Sequence, residues 1–349
     1  MPERIPARDL DAGALDALVL EEGGRPFHAR ELHLWLHARG LLDWNRATNL
    51  PKALRDRLSE TLELRTLRLL EEEEARDGTL KFLLGLGDGE AIEAVLIPRG
   101  TRSTLCMSTQ VGCPVGCIFC ASGLEGVRRN LSRAEILEQF WIARERLGRP
   151  PDNIVVMGIG EPMANLRNLT EALDLLVSPK GAAYSARRIT ISTSGHPERI
   201  RRLASLGKPY ELAVSLHAAD PDLRRELVPT AKHDPEELVR AAAFHGRATG
   251  REPTFEIVLL ADRNDRREDA EALCSLLRGL PCTVNLIPWN PVEVPGGDLR
   301  SPGDRRVERF RGWLERGGLK TTLRRHRGRD RDAACGQLRL RRPPAIRKK

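Results

Sequence analysis

Three cysteines spaced C-x3-C-x2-C, Cys113, Cys117 and Cys120, form the most informative chemical pattern in this sequence. Three thiolates on so short a loop can bind three irons of a 4Fe–4S cluster and leave the fourth iron open to a small ligand. A cluster that only carries electrons usually has four cysteine ligands, and a structural zinc site commonly uses two C-x2-C pairs. The loop contains a single such pair. The spacing therefore predicts a catalytic cluster, with a zinc knot as the alternative.

The composition indicates a globular protein of a reducing compartment. Hydrophobic residues make up 40% of the chain, charged residues 30% and aromatic residues 4%. No apolar run approaches the roughly 18 residues that a membrane-spanning helix needs, and the first residues lack the apolar core of a signal peptide. The seven cysteines, an odd number, do not resemble a secreted disulfide framework. We therefore expect a cytoplasmic protein without membrane association.

Positive charge is concentrated towards the end of the sequence. The whole chain has a net charge of +8, whereas Arg300 to Lys349 alone contains 18 basic and 5 acidic residues, a net of +13. A basic segment on a mildly acidic body is typical of a surface that binds a polyanion. A solvated arginine-rich tail without a ligand is the alternative.

The first part of the chain has a different periodicity from the remainder. Residues 1 to about 60 place apolar residues at helical spacing, as in ARELHLWLHARGLL. Residues 63–98 alternate polar and apolar residues, with turn signals at Asp77-Gly78 and Asp88-Gly89, which is the pattern of a small antiparallel β unit. We expect residues 1–98 to form an N-terminal α+β accessory domain.

Short apolar runs alternate with amphipathic stretches between residues 99 and 332. Helix starts are marked by a capping box at Ser132 and Glu135 and by Asp-Pro pairs at Asp220 and Asp234. This alternation predicts a parallel α/β sheet whose strands end at the polar motifs, where α/β barrels carry their chemistry. We expect residues 333–349 to form a separate C-terminal segment, which contains Cys335 and a basic tail. Six runs are predicted strands: TLCMSTQV, NIVVMGIG, RITISTS, YELAVSLH, TFEIVLL and TVNLIPW.

The motifs at these strand ends resemble one known family. The cysteine loop is followed in order by GIGEP, STSG, VSLHA, NLIPWNP and a late DAACGQL. This ordered set resembles the radical S-adenosylmethionine (SAM) RNA methyltransferases of the RlmN/Cfr type, and the resemblance extends from about Pro26 to Leu338. It implies a radical SAM core, a partial (β/α)6 barrel, that follows the accessory domain.

The resemblance also implies the cofactors. The three cysteines of the loop would hold one 4Fe–4S cluster, and one electron from it would cleave SAM to a 5′-deoxyadenosyl radical. Two SAM molecules would be used per turnover. Glu161 would offer its carboxylate to the methionyl ammonium of SAM. The implied SAM contacts are Gly160, Glu161, Ser192, Ser215, Leu216, His217 and Asn290.

Two further cysteines and a glutamate would carry the methyl transfer that the resemblance implies. Cys335 would accept a methyl group and, after loss of a hydrogen atom, bond through that carbon to adenine in a transient protein–RNA crosslink. Glu93 would be the general base that removes the adenine proton. Cys106 would then attack the sulfur of Cys335 and leave a disulfide that must be reduced. Without the resemblance, Cys106 is a buried apolar residue and Glu93 a solvent-facing one.

The substrate implied by the resemblance is adenine in RNA. The targets would be an adenine in the peptidyl-transferase region of 23S rRNA and the tRNA adenine 3′ of the anticodon. The complete front section and the QVGC-x3-C-x-FCAS context favour carbon 2, with carbon 8, the product of the antibiotic-resistance (Cfr) branch, as the alternative. Flavodoxin or ferredoxin would supply electrons, and we expect a monomer. Candidate phosphate contacts are Arg324, Arg325, Arg327 and Arg329, with Arg187 and Arg188 as weaker candidates.

Two other classes of protein stay open from the residues alone. A zinc-bound cysteine loop beside a basic segment would suit a non-catalytic ribosome-binding factor. A radical SAM enzyme that acts on a protein or a metabolite would explain the loop, but it has no use for a pair formed by Cys106 and Cys335. Cys274 and Cys282 match none of the implied roles, and we expect them in the core.

Overall fold

The structure of the chain is a computed structural model, which describes residues 4–292, 298–324, 333, 337 and 338. A helical section comes first, and a ten-stranded sheet follows it. The largest apolar core joins this sheet to the helices that pack against it.

Residues 5–63 form the helical section, as the periodicity predicts. Its core consists of apolar residues at helical spacing, among them Leu15, Leu32 and Leu58. The side chain of Asp11 accepts a hydrogen bond from the N–H of Ala14 and so caps the first helix. The elements are β1 (Ile5–Pro6), α1 (Ala12–Glu21), α2 (Pro26–Leu34) with a π-helical turn (Trp35–Arg39), α3 (Lys52–Thr61) and β2 (Leu62–Glu63).

The β unit that follows is antiparallel, as predicted, and it continues into the core sheet. β3 (Arg68–Glu74), β4 (Leu80–Gly85) and β5 (Ala91–Arg99) pair in chain order. β5 also pairs antiparallel with β6 (Arg102–Cys106), and β6 is the first of the parallel strands. The front β unit and the core therefore share one hydrogen-bonded sheet.

Among the residues that the structure describes, the parallel part of the sheet contains seven strands in chain order, beginning with β6. This order, with helices between successive strands, is that of a partial α/β barrel. The six predicted strands are present. The sequence does not predict the seventh, β14 (Lys320–Leu323), because this four-residue edge strand has no apolar run. The others are β9 (Asn153–Val156), β10 (Ile189–Thr193), β11 (Glu211–Ser215), β12 (Thr254–Leu259) and β13 (Thr283–Pro288), while β7 (Gln110–Gly112) and β8 (Val127–Asn130) form a separate ribbon.

Helices connect the parallel strands, and their starts follow the predicted caps. Ser132 and Glu135 form the expected capping box, and the side chain of Asp220 accepts a hydrogen bond from the N–H of Leu223. Within the described ranges, no helix is long and apolar enough to span a membrane. The helices are α4 (Arg133–Leu147), α5 (Leu166–Val177), α6 (Pro197–Ser205), α7 (Pro221–Leu227), α8 (Pro235–Thr249), α9 (Arg267–Leu276) and α10 (Asp304–Arg316).

The helical section is anchored to the core at the start of α4. The carboxylate of Asp9 accepts a hydrogen bond of 2.7 Å from the N–H of Ala134, which adds negative charge at the helix N-terminus. The buried guanidinium of Arg8 donates to the carbonyls of Leu41 and Leu64, each at 2.6 Å. The first contact joins the helical section to α4, and the Arg8 contacts hold Leu41 and Leu64 together.

The burial of His245 on α8 supplies a test of how this helix packs in the protein. Its ring is fully buried, neither ring nitrogen has a hydrogen-bond partner among the described residues, and burial lowers its pKa to about 4. The unfolded chain binds a proton near pH 6.5 that the folded chain does not, so stability falls as the pH drops from 6.5 towards 4. His245→Leu should remove this loss, about 2 kcal/mol between pH 7.5 and 5. We expect the melting temperature of the variant to rise relative to the wild type on acidification. A difference in melting temperature between the variant and the wild type that does not change with pH would contradict a buried, neutral His245 ring.

Candidate active site

One cavity of about 540 Å³ lies at the carboxyl ends of the parallel strands. It is lined by residues on or directly after β6, β9, β10, β11, β12 and β13, which are distant in sequence and successive in the sheet. Eleven of the predicted residues line this cavity: Cys106, Cys113, Cys117, Cys120, Gly160, Glu161, Ser192, Ser215, His217, Asn290 and Arg324.

The cysteine loop is held from outside by hydrogen bonds to its backbone. The hydroxyl of Thr230 donates to the carbonyl of Val115 at 2.9 Å, and the indole N–H of Trp289 donates to the carbonyl of Phe119 at 2.9 Å. Gly116, between the first two cysteines, has a φ of 65°, which glycine adopts without strain. The loop conformation is therefore set by its surroundings as well as by its own sequence.

Two of the three sulfur atoms of the loop, those of Cys113 and Cys120, receive backbone hydrogen bonds. The N–H groups of Val115 and Gly160 bond to the sulfur of Cys113. The N–H groups of Ser122 and Gly123 bond to that of Cys120. Such hydrogen bonds help to set the reduction potential of an iron–sulfur cluster. Burial raises the pKa of the Cys113 thiol to about 12, so a bound iron, which replaces the thiol proton, is needed for the sulfur to carry charge at neutral pH.

The donor set fits a cluster. The three cysteines line one cavity and pack in one apolar group that includes Phe119 and Trp289. No group of three or more His, Cys, Asp or Glu side chains in the described ranges is arranged around a single metal ion. A 4Fe–4S cluster binds each cysteine through a different iron, so its ligands do not have to converge on one point.

Glu161 ties the end of β9 to the end of β10. One carboxylate oxygen accepts from the N–H of Met163 at 2.9 Å and the hydroxyl of Thr193 at 2.7 Å. The other accepts from the N–H and the hydroxyl of Ser194, both at 2.8 Å. These four donors match the capacity of a carboxylate. A ligand ammonium reaches this group only when a donor such as the Ser194 hydroxyl turns away, so direct contact with SAM stays a prediction.

Gly160 allows the GIGEP loop to lie against the segment that leads into the cysteine loop. Its φ is 109°, and a Cβ there would lie 2.7 Å from the Cβ of Gln110 and 2.8 Å from the hydroxyl of Thr109. No larger residue fits this position without displacing its neighbours. The glycine therefore allows the close packing of this loop against Thr109 and Gln110.

A polar network crosses the strands at the cavity. The hydroxyl of Ser192 lies 3.4 Å from that of Ser215 and donates to Glu256 at 3.3 Å. The amide of Asn285 also donates to Glu256, at 3.2 Å, and the guanidinium of Arg324 lies 3.9 Å away from it. The sequence analysis missed Glu256. A lone acid within the apolar run TFEIVLL was the available signal, because a buried parallel strand rarely carries an unpaired charge.

His217 presents a neutral ring at the cavity. Its Nδ1 accepts a hydrogen bond of 3.2 Å from the N–H of Val258, and burial lowers its pKa to about 3. The ring proton must then lie on Nε2. Its φ of 65° is unusual for a residue with a side chain, and its ring packs edge-on against Phe119 with centroids 4.7 Å apart.

Arg224 is a second residue that the sequence analysis missed. Its guanidinium is buried and donates to the carbonyl of Leu216 at 3.1 Å and to that of Ser194. Burial lowers its pKa to about 10, which leaves it protonated at neutral pH. It joins the ends of β10 and β11 and places positive charge near the cysteine loop. An arginine in the first turns of a helix gives no sequence signal for such a role.

Cys106 lies in an apolar cluster with residues that flank Cys335 in the sequence. The cluster contains Cys106, Ala333 and Leu338, and the hydroxyl of Ser122 donates to the carbonyl of Leu338 at 2.6 Å. Cys335 itself lies outside the described residues, as do Arg325, Arg327 and Arg329.

Four predicted residues do not line the cavity: Glu93, Leu216, Arg187 and Arg188. Glu93 is 1% exposed, so the expectation of a solvent-facing side chain is wrong. It occupies the sheet face that carries Cys106, because it is two residues from Val95, the cross-strand partner of Cys106. Leu216 has its side chain in the main core, and Arg187 and Arg188 are exposed on a short turn. Cys274 and Cys282 pack in or against that core, as expected.

The cysteine loop gives a direct prediction. Cys117→Ser should reduce bound iron and sulfide to near zero after anaerobic reconstitution, because a hydroxyl is a poor iron ligand. Cys282→Ser is the matched control, since Cys282 is a buried cysteine outside the cavity. It should keep the iron content and visible absorbance of the wild type. Equal loss of iron in both variants would contradict the assignment of the loop.

Comparisons with known proteins agree with this geometry. Residues 107–274 match the family model of the radical SAM superfamily, and residues 7–64 match that of the ribosomal RNA large subunit methyltransferase N-terminal domain. The dual-specificity RNA methyltransferase RlmN of Anaeromyxobacter dehalogenans is 44% identical over 340 residues, which cover 95% of this chain and 91% of the relative. That of Syntrophobacter fumaroxidans is 43% identical, over 96% of this chain and 98% of the relative.

A solved structure extends the likeness to three dimensions. The crystal structure of a radical SAM methyltransferase from Sphaerobacter thermophilus superimposes with a TM-score of 0.91 at 41% identity, over 96% of this chain and 99% of that one. The likeness therefore includes both the helical section and the sheet. The chain belongs to the RlmN family of radical SAM methyltransferases.

Proposed function

We propose that this chain methylates carbon 2 of an adenine in the peptidyl-transferase region of 23S rRNA and of the adenine 3′ of the anticodon in tRNA. The observation that carries the proposal is that one cavity is lined by the cysteine loop, the polar strand ends and Cys106. The names of the relatives, dual-specificity RNA methyltransferases, support RNA as the substrate.

The cavity would hold the cofactors. Cys113, Cys117 and Cys120 would ligate the 4Fe–4S cluster, and residues at the ends of β9, β10, β11 and β13 would bind SAM. When bound, the cluster and two SAM molecules per turnover supply the methyl group and the one-electron chemistry. Phe119 and Trp289, both buried beside the cysteines, exclude water from this side of the cavity.

We assign the methyl-carrying sulfur to Cys335 and the resolving thiol to Cys106. The support is the cluster that Cys106 forms with Ala333 and Leu338, which flank Cys335. In the resolving step the thiolate of Cys106 attacks the sulfur of Cys335, and a sulfur–sulfur bond forms. The bond between that sulfur and the methylene carbon breaks, and its electron pair goes to the carbon, which takes a proton to become methyl. A thiol or another two-electron reductant must then reduce the disulfide.

Glu93 is the proposed general base. Its carboxylate would remove the proton from carbon 2 of the crosslinked adenine, and the unpaired electron of the adduct would pass to the cluster, when bound, so that the crosslink can be resolved. The support is its position on the sheet face that carries Cys106. The β unit within residues 1–98 would therefore contribute to the reaction, beside the core of residues 99–332 and the cysteine segment of residues 333–349.

The basic residues near the end of the sequence would bind the RNA. Arg324 lines the cavity at the carboxyl end of β14, and the basic segment that follows would contact phosphates. The target adenine would be splayed out of its RNA stack into the cavity, the common way of exposing a base to chemistry. A flavodoxin or ferredoxin would supply the electrons. The protein would act as a monomer.

The test is mass spectrometry of nucleosides from 23S rRNA and tRNA. The RNA is incubated anaerobically with reconstituted protein, SAM and a reductant, and Cys335→Ala serves as the control. We expect 2-methyladenosine in both RNAs with the wild type and none with the variant. 8-Methyladenosine would replace the proposed position with that of the Cfr branch. No methylated adenosine from protein that cleaves SAM would contradict RNA as the substrate.

A further inference from the structure

Lys81 is a buried lysine on the sheet face that carries Glu93. It lies on β4, and its side chain is 3% exposed. Lysine is almost never buried to this extent without a charged partner. Charged neighbours are therefore expected to stabilise the buried ammonium group of Lys81.

The ammonium of Lys81 lies between two carboxylates. Its Nζ is 2.7 Å from Oε2 of Glu73 on β3 and 3.8 Å from Oε1 of Glu93 on β5. The first distance is that of a charge-assisted hydrogen bond. The second is longer than a hydrogen bond. Lys81 therefore supplies charge to Glu93 without donating to that oxygen.

The strand register places these groups on one face with Cys106. Lys81 is directly opposite Glu73 on one side and Val95 on the other. Val95 is in turn opposite Cys106. Residues opposite each other, and residues two apart on one strand, share a face. Glu93 is two residues from Val95, so all five side chains share that face.

A general base must be ionised before it can take a proton, and burial opposes ionisation. Glu93 is 1% exposed, and the loss of hydration on burial disfavours the charged form of a carboxyl group. A positive charge within about 4–6 Å favours the ionised form. Glu73, on the outer strand of the sheet, holds that charge in place through its hydrogen bond to Lys81.

We propose that Lys81 is a positioning residue that keeps Glu93 ionised, with Glu73 as the anchor of its ammonium. The inference rests on the proposed role of Glu93 as the base. Lys81 does not touch the adenine and transfers no proton.

An infrared measurement on the reconstituted protein tests the inference without RNA. Lys81→Met keeps the apolar stem and removes the charge. The difference spectrum between K81M and the double variant K81M/E93Q at neutral pH should contain the carbonyl stretch of a protonated carboxylic acid. The difference between the wild type and E93Q should lack it. Absence of this band in K81M would overturn the inference, whether or not the protein methylates RNA.

A second measurement follows the crosslink on RNA. In K81M the protein–RNA adduct should form and persist, with its decay slowed about tenfold or more, since general base catalysis contributes 10²–10⁴-fold. Glu72→Gln is the control, because Glu72 is next to Glu73 on β3 and pairs with Arg146 instead of Lys81. It should behave as the wild type.

The outcomes separate the inference from the proposed function. If K81M loses adduct and product in the same proportion, Lys81 only supports the fold and the inference is wrong. If the wild type methylates no RNA, the proposed function is wrong, and the infrared difference still decides whether Lys81 controls the charge of Glu93.

Discussion

The hydroxyl of Ser108 joins the parts of the chain that the site requires. It donates to the carbonyl of Glu93 at 2.6 Å and accepts from the N–H of Ile159 at 2.8 Å. The backbone N–H of Ser108 bonds to the side chain of Gln139 on α4 at 2.8 Å. All of these groups are buried, where an unpaired polar group costs about 1–3 kcal/mol. The strand of the proposed base, the GIGEP loop and α4 are therefore fixed relative to one another.

This linkage depends on the continuity of the sheet. The antiparallel pairing of β5 with β6 brings residues of the front β unit beside the carboxyl end of the first parallel strand. A parallel core alone would provide the cysteine loop, the polar strand ends and Glu256, but not Glu93. The front section thus supplies a part of the proposed site.

Local signals in the sequence were sufficient for much of the fold and of the site. The cysteine spacing, the capping box of Ser132 and the motifs at the strand ends each involve residues close in sequence, and the structure places those motifs around one cavity. Features that depend on contacts between residues distant in the sequence could not be predicted from it. The edge strand β14 has no apolar run, and Glu256 and Arg224 acquire their partners only when separate strand ends meet.

The central claim is that the methyl group reaches adenine through a protein sulfur. The most direct measurement is mass spectrometry of methyladenosine formed with SAM whose methyl group is fully deuterated. Transfer through Cys335 removes one hydrogen atom from the methyl group and later returns a proton, so the product should lack one deuterium. A product methyl group that keeps all of its deuterium would show direct displacement on SAM and contradict the account.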